Sequence, residues 1–136
     1  MSELGIQEAF AKYGANLRNV QWSVSAWAPD GSLVVSLWAH HYRRGPRGTA
    51  EYADSFERWS GPGNSEFRNN VAHAYTEGSK VRLIVVNTSD TKHVQDGRDA
   101  SKIQKSFNPR EDLVGVVAEI DGDRYVFRFS RTTSPI

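Results

Sequence analysis

Apolar positions recur along this chain with helical, strand-like and continuous patterns in turn, and each pattern marks out elements. Over residues 2–13, Ile6, Phe10 and Tyr13 fall at helical spacing, with Leu4 and Ala9 widening the stripe. Ser2 can cap this helix and Gly14 can close it in the left-handed conformation. Residues 20–27 then alternate, with Val20, Trp22, Val24 and Ala26 on one face and Gln21, Ser23, Ser25 and Trp27 on the other. Ala28-Pro29-Asp30-Gly31-Ser32 is a turn in which proline presets φ and glycine accepts a positive one. The return strand over 33–42 gathers Leu33, Val35, Leu37 and Ala39 on a core face, and Val34, Ser36, Trp38, His40 and Tyr42 on a second face.

A basic loop, Arg43 to Thr49, follows, and residues 50–59 carry Tyr52, Phe56 and Trp59 at spacings that fit a short helix or a loop docking its aromatics. After Ser60-Gly61-Pro62-Gly63, Asn64 or Ser65 can cap a helix reaching Glu77, with Phe67, Val71, Ala74 and Tyr75 as its stripe and Gly78 as terminator. Residues 81–86 are apolar on both faces, as in a central strand. The polar stretch 88–108 is long for a loop, and Asp99 can start a helical turn through Gln104. Asp121-Gly122 joins two alternating runs, 113–120 and 124–130, into a hairpin. Segregated elements in this order predict an α+β fold: a mainly antiparallel, curved five-stranded sheet with scope to form a partial barrel, and two to three helices packed on it. Residues 1–131 read as one domain and 132–136 as a frayed tail.

Composition narrows the chemistry. The 136 residues include no cysteine, which excludes disulfides, thiolate metal sites and cysteine nucleophiles and fits a reducing compartment. With neither a cationic leader nor an apolar run of membrane length, the expectation is a cytoplasmic protein without a membrane partner. A net charge of +1 argues against nucleic-acid binding by bulk charge and leaves only a local patch for that role. Phosphate-binding glycine loops, a Gly-x-Ser-x-Gly elbow and zinc-type histidine spacing are all missing, so neither metal nor cofactor is expected.

Three groups hold candidate chemistry. Glu51, Asp54 and Glu57, spaced by three, would line one side of a helix, either as a solvated face or as paired carboxylates. His40 and His41, as strand neighbours, would point to opposite faces and so share neither ligand nor proton; His40 is either a strand-end residue or a general base. The binding candidate is Trp38, His40, Tyr42, Arg43, Arg44 and Arg47, with Trp27 across the hairpin. Aromatic faces can stack on bases while arginines contact phosphates; alternatively, a helix covers this face and the tryptophans are core. Arg98, Lys102, Lys105 and Arg110 could extend the patch.

The runs Ile6-Gln7-Glu8-Ala9-Phe10 to Tyr13-Gly14-Ala15, Trp22-Ser23 with Ser25-Ala26, Ser36-Leu37-Trp38, Trp59 followed by Gly63-Asn64, and Arg82-Leu83-Ile84-Val85-Val86 resemble a family of small uncharacterised bacterial proteins. Some of these are carried in mobile gene cassettes such as those of integrons. The resemblance spans residues 4–90 and fades beyond, leaving 96–110 idiosyncratic. It implies that the tryptophan and Gly-Asn positions belong to a shared framework, and it implies no mechanism.

Three functions fit these readings. The first is a non-enzymatic module binding single-stranded or modified nucleic acid on the aromatic and basic sheet face. The second is a small-molecule-binding protein or small enzyme with a pocket between sheet and helices, the polar loop serving as a lid. The third is a structural or interaction protein that forms a homodimer through exposed aromatics.

Overall fold

The computed structural model describes residues 5–98 and 103–132. The predicted Ser2 cap, the start of the predicted turn at Asp99, Lys102 and residues 133–136 of the tail lie outside them. Among the described residues the fold is α+β, with three helices and a mostly antiparallel open sheet of eight strands rather than five. Helix α1 (Ile6–Ala11) is followed by β1 (Ser25–Trp27) and β2 (Leu33–Trp38), which form the first predicted hairpin with Ser25 opposite Val35 and Gly31 at φ 90° in its turn. Residues 20–24 do not extend β1. Ser23 N–H donates to the Asn19 carbonyl at 2.8 Å and the Ser23 hydroxyl accepts from Asn19 N–H at 3.0 Å, which closes a turn there instead.

The predicted long return strand breaks after Trp38. Ala39–His41 is a 3₁₀ turn, and the chain resumes as β3 (Tyr42–Arg44), hydrogen-bonded to β4 (Ala50–Ser55). Residues 50–55 are therefore a strand, not a helix. A spacing of four, as between Tyr52 and Phe56, suits either period, and pairing with a neighbouring strand decided the outcome. Helix α2 (Pro62–Glu77) ends at Gly78 in the left-handed conformation and buries Phe67, Val71 and Ala74; Tyr75, expected in that stripe, is 46% exposed. After β5 (Val81–Asn87), the expected loop contains a short helix, α3 (Thr91–Gln95), and β6 (Ser106–Pro109). The hairpin of β7 (Leu113–Asp121) and β8 (Arg124–Arg131) turns at Gly122, φ 62°.

Strand order is β1-β2-β5-β7-β8-β4-β3, with β6 also on β5; β2 and β5 are parallel and the other pairs antiparallel. Crossing from β2 to β3 through this order would span roughly 24 Å in a flat sheet, at about 4.8 Å per strand. Yet the chain makes that journey from Trp38 to Tyr42, a reach of at most ~14 Å. The sheet must curl. Its concave face packs Leu33, Val35 and Leu37 of β2, Leu83 of β5 and Phe127 and Phe129 of β8 against Phe67 and Val71 of α2. On the convex side, α1 lays Ala9 and Phe10 over Ala26, Val34 and Ile84. That helix covers Val34 on the second face of β2, a face the sequence left open as a binding surface, while Ser36 and Trp38 of the same face line a cavity.

Candidate functional site

A cavity of about 880 Å³ lies where the carboxyl-terminal residues of β2 and β5 meet the start of α2. β2 and β5 run parallel, so both strands end on this side of the sheet. The cavity walls include Trp22, Trp38, Trp59, Phe67 and Phe107, so three of the four tryptophans converge on it from separate parts of the chain. All three are half-buried. Exposed Gln21, Ser60, Pro62 and Arg98 carry the lining out to the surface.

Two glycines let the walls approach. A Cβ on Gly63, in the first turn of α2, would sit 2.2 Å from the Trp22 carbonyl oxygen. One on Gly97 would sit 2.2 Å from the Arg58 carbonyl oxygen, and Gly97 also holds φ 75°. Between them, the Asn64 side-chain amide donates to the carbonyls of Phe56 (2.8 Å) and Trp59 (2.7 Å) and so fixes the 3₁₀ turn Phe56–Arg58.

The polar part of the lining centres on Asp54, whose side chain is 8% exposed. Arg58 Nε donates to its Oδ2 at 2.6 Å, the Tyr125 hydroxyl donates to the same oxygen at 3.5 Å, and His41 Nδ1 lies 3.6 Å away. A second guanidinium nitrogen, Arg58 Nη1, donates to the Val94 carbonyl at 2.7 Å and ties α3 to the site. Burial holds the Tyr125 hydroxyl far above its ordinary range, with the Asp54 charge adding to the effect, so it remains a donor. Burial lowers the proton affinity of His41; the hydrogen bond to Gln95 and the Asp54 carboxylate oppose that shift, and His40 and Arg58 add to it.

His40 and His41 do share a partner, contrary to the strand-based expectation. Carried by a 3₁₀ turn, their rings lie 4.4 Å apart, and both Nε2 atoms reach Gln95 Oε1, His40 at 2.8 Å and His41 in a shorter contact. The acidic trio is dispersed for a related reason. Neighbouring positions of a strand alternate faces, so Glu51 lies on the convex side between Arg43 Nε (2.8 Å) and Arg128 Nε (2.7 Å), Asp54 faces the cavity, and Glu57 is exposed in the following turn.

The seven expected binding residues do not form one surface. Trp27 stands on the β1 edge, where its Nε1 donates to Asn70 Oδ1 (3.1 Å) and its ring meets His73 edge-on, so it fastens β1 to α2. Tyr42, Arg43 and Arg44 occupy the opposite sheet edge, where the Tyr42 ring packs against Tyr52 and Arg43 pairs with Glu51. Arg47 sits beyond them in the β3–β4 turn at φ 50°. Trp38 alone of the seven lines the cavity, and His40 reaches the site through Gln95. Sequence reading missed Asp54, Arg58 and Trp59 as a unit; the one available signal was Trp59 beside Gly63-Asn64, since those residues build the wall.

Among the described residues no group of three or more histidine or acidic side chains is arranged to hold a metal, and no helix is long and apolar enough to cross a membrane. Searches of family models, curated proteins and solved structures return no match to this chain.

Proposed function

We propose that this is a small-molecule-binding protein whose site is the cavity between the curled sheet, α2 and α3, and whose ligand is flat and uncharged. The observation that carries this reading is the union of three tryptophans with an internally neutralised Asp54–Arg58 pair in one cavity of about 880 Å³. That volume lies within the 300–1,000 Å³ common for ligand sites, which are mostly apolar with a few placed polar groups. Because Arg58 already balances the nearly buried Asp54, a charged group placed against that pair would find no counter-charge there.

Binding is favoured over catalysis by the histidines. Gln95 already takes His41 Nε2, and His41 Nδ1 lies 3.6 Å from Asp54, so the ring serves as part of the wall unless Gln95 moves away. Nucleic-acid binding along the sheet face has lost its continuous surface, since α1 covers part of it and Glu51 engages Arg43.

A thermal-unfolding screen of flat uncharged heterocycles tests the proposal. A ligand at a hundred times its Kd should stabilise the fold by about 2.7 kcal/mol and change the fluorescence of the cavity tryptophans. If no flat compound shifts either signal, while the protein melts cooperatively, the reading fails.

A further inference from the structure

Resting on that reading, we infer that the cavity is a nucleobase pocket, in which Asp54 Oδ1 and Arg58 Nη2 read an adjacent N–H donor and acceptor on the base edge while tryptophan rings flank its faces. Every contact that Asp54 makes with described residues falls on Oδ2. Its other oxygen has no partner among the described residues and belongs to a side chain that lines the cavity. Arg58 commits Nε to Asp54 and Nη1 to Val94, which leaves Nη2 uncommitted among the described residues. One ion pair of zero net charge thus carries both an acceptor and a donor that the described residues leave unused.

A flat apolar hydrocarbon would leave both groups unpaired in a nearly buried site, which is costly. A carboxylate ligand would face the unused Asp54 oxygen. A nucleobase satisfies every constraint at once: it is planar, neutral, has a π-face for tryptophan, and carries a donor next to an acceptor on its pairing edge. The base could come from a free nucleoside or from an unpaired nucleotide in a strand. Arg98, exposed on the cavity lining, suits a phosphate of the second source.

The test uses wild-type protein, tryptophan fluorescence and calorimetry. Uridine and guanosine are each compared with a form methylated on the ring nitrogen of the pairing edge, which removes the N–H and changes little else. Binding that weakens about tenfold or more on methylation is expected; equal binding of the methylated forms would overturn edge recognition. Trp38→Leu should weaken nucleoside binding by a similar factor, and an unchanged affinity in a variant that melts normally would count against stacking. If no nucleoside binds but other flat heterocycles stabilise the protein, the nucleobase assignment fails and the small-molecule reading stands. If nothing flat binds, both fail. A short single strand that binds more tightly than its nucleoside, with a strong salt dependence, identifies a nucleic-acid source; a strand that binds no better identifies the free nucleoside.

Discussion

Arg58 ties two separate parts of the site together. Its own side chain is 11% exposed, and it neutralises Asp54 while anchoring the Val94 carbonyl. Arg58→Met should therefore cost about 3–5 kcal/mol in denaturant unfolding, because it strands a buried carboxylate. A loss below 1 kcal/mol would mean that water reaches Asp54 freely. His41 gives a second test at this scale. Its proton affinity in the folded protein is lowered mainly by burial, so the unfolded chain takes up a proton more readily, at its ordinary value near 6.5. The stability held by neutral His41 is then complete above pH ~6.5 and declines as pH falls toward the lower folded-state value. Unfolding midpoints measured from pH 8 to 5 should show this slope, and His41→Gln should flatten it. Glu51 acts in a lower window: hydrogen bonds from Arg43 and Arg128 lower its pKa, and its contribution is lost as pH drops below the ordinary glutamate range.

At the scale of elements, the 3₁₀ turn after β4 depends on α2. Asn64 donates two hydrogen bonds from one amide, and Asn64→Asp would replace both donors with a negative charge facing two carbonyls. A loss of about 2–3 kcal/mol is expected in thermal or denaturant melts, from two lost hydrogen bonds and the repulsion. Gly63→Ala should also destabilise, since its Cβ would meet backbone rather than a movable side chain; a neutral effect would show that α2 can slide. These elements differ in how far the sequence revealed them. The β7–β8 hairpin was legible because Asp121-Gly122 imposes its own turn geometry, and α2 because Phe67, Val71 and Ala74 share one helical face between Pro62 and Gly78. The corner at Ala39–His41 was hidden because alternation continues unbroken from Leu33 to Tyr42 in the sequence, and a 3₁₀ turn leaves no mark on that pattern. The β4 strand was ambiguous because its aromatic spacing suits two periods.

For the whole molecule, the class of fold followed from the order of elements, while the sheet's width and the cavity did not. Asp54 and Tyr125 are 71 residues apart, and Arg58 and Val94 are 36 apart. No local period can announce such a meeting; it exists only once β8 has paired with β4 and α3 has folded back. The same distances suggest that site and scaffold unfold together. Loss of the cavity tryptophan signal and loss of far-ultraviolet ellipticity should coincide in denaturant, and an earlier tryptophan transition would mark the α3 side as a separately unfolding unit.

The three residues between β2 and β3 act as a tie-rod. They join strands that lie far apart in sheet order, so the bore of the curled sheet is governed by a length of chain as well as by core packing. Two glycines inserted between Ala39 and His40 should let the sheet relax outward, widening the cavity while leaving every core residue in place. Larger flat ligands would then gain affinity relative to smaller ones, at some cost in stability. Such a scaffold could change the size of molecule it accepts by adding or removing residues at one surface corner.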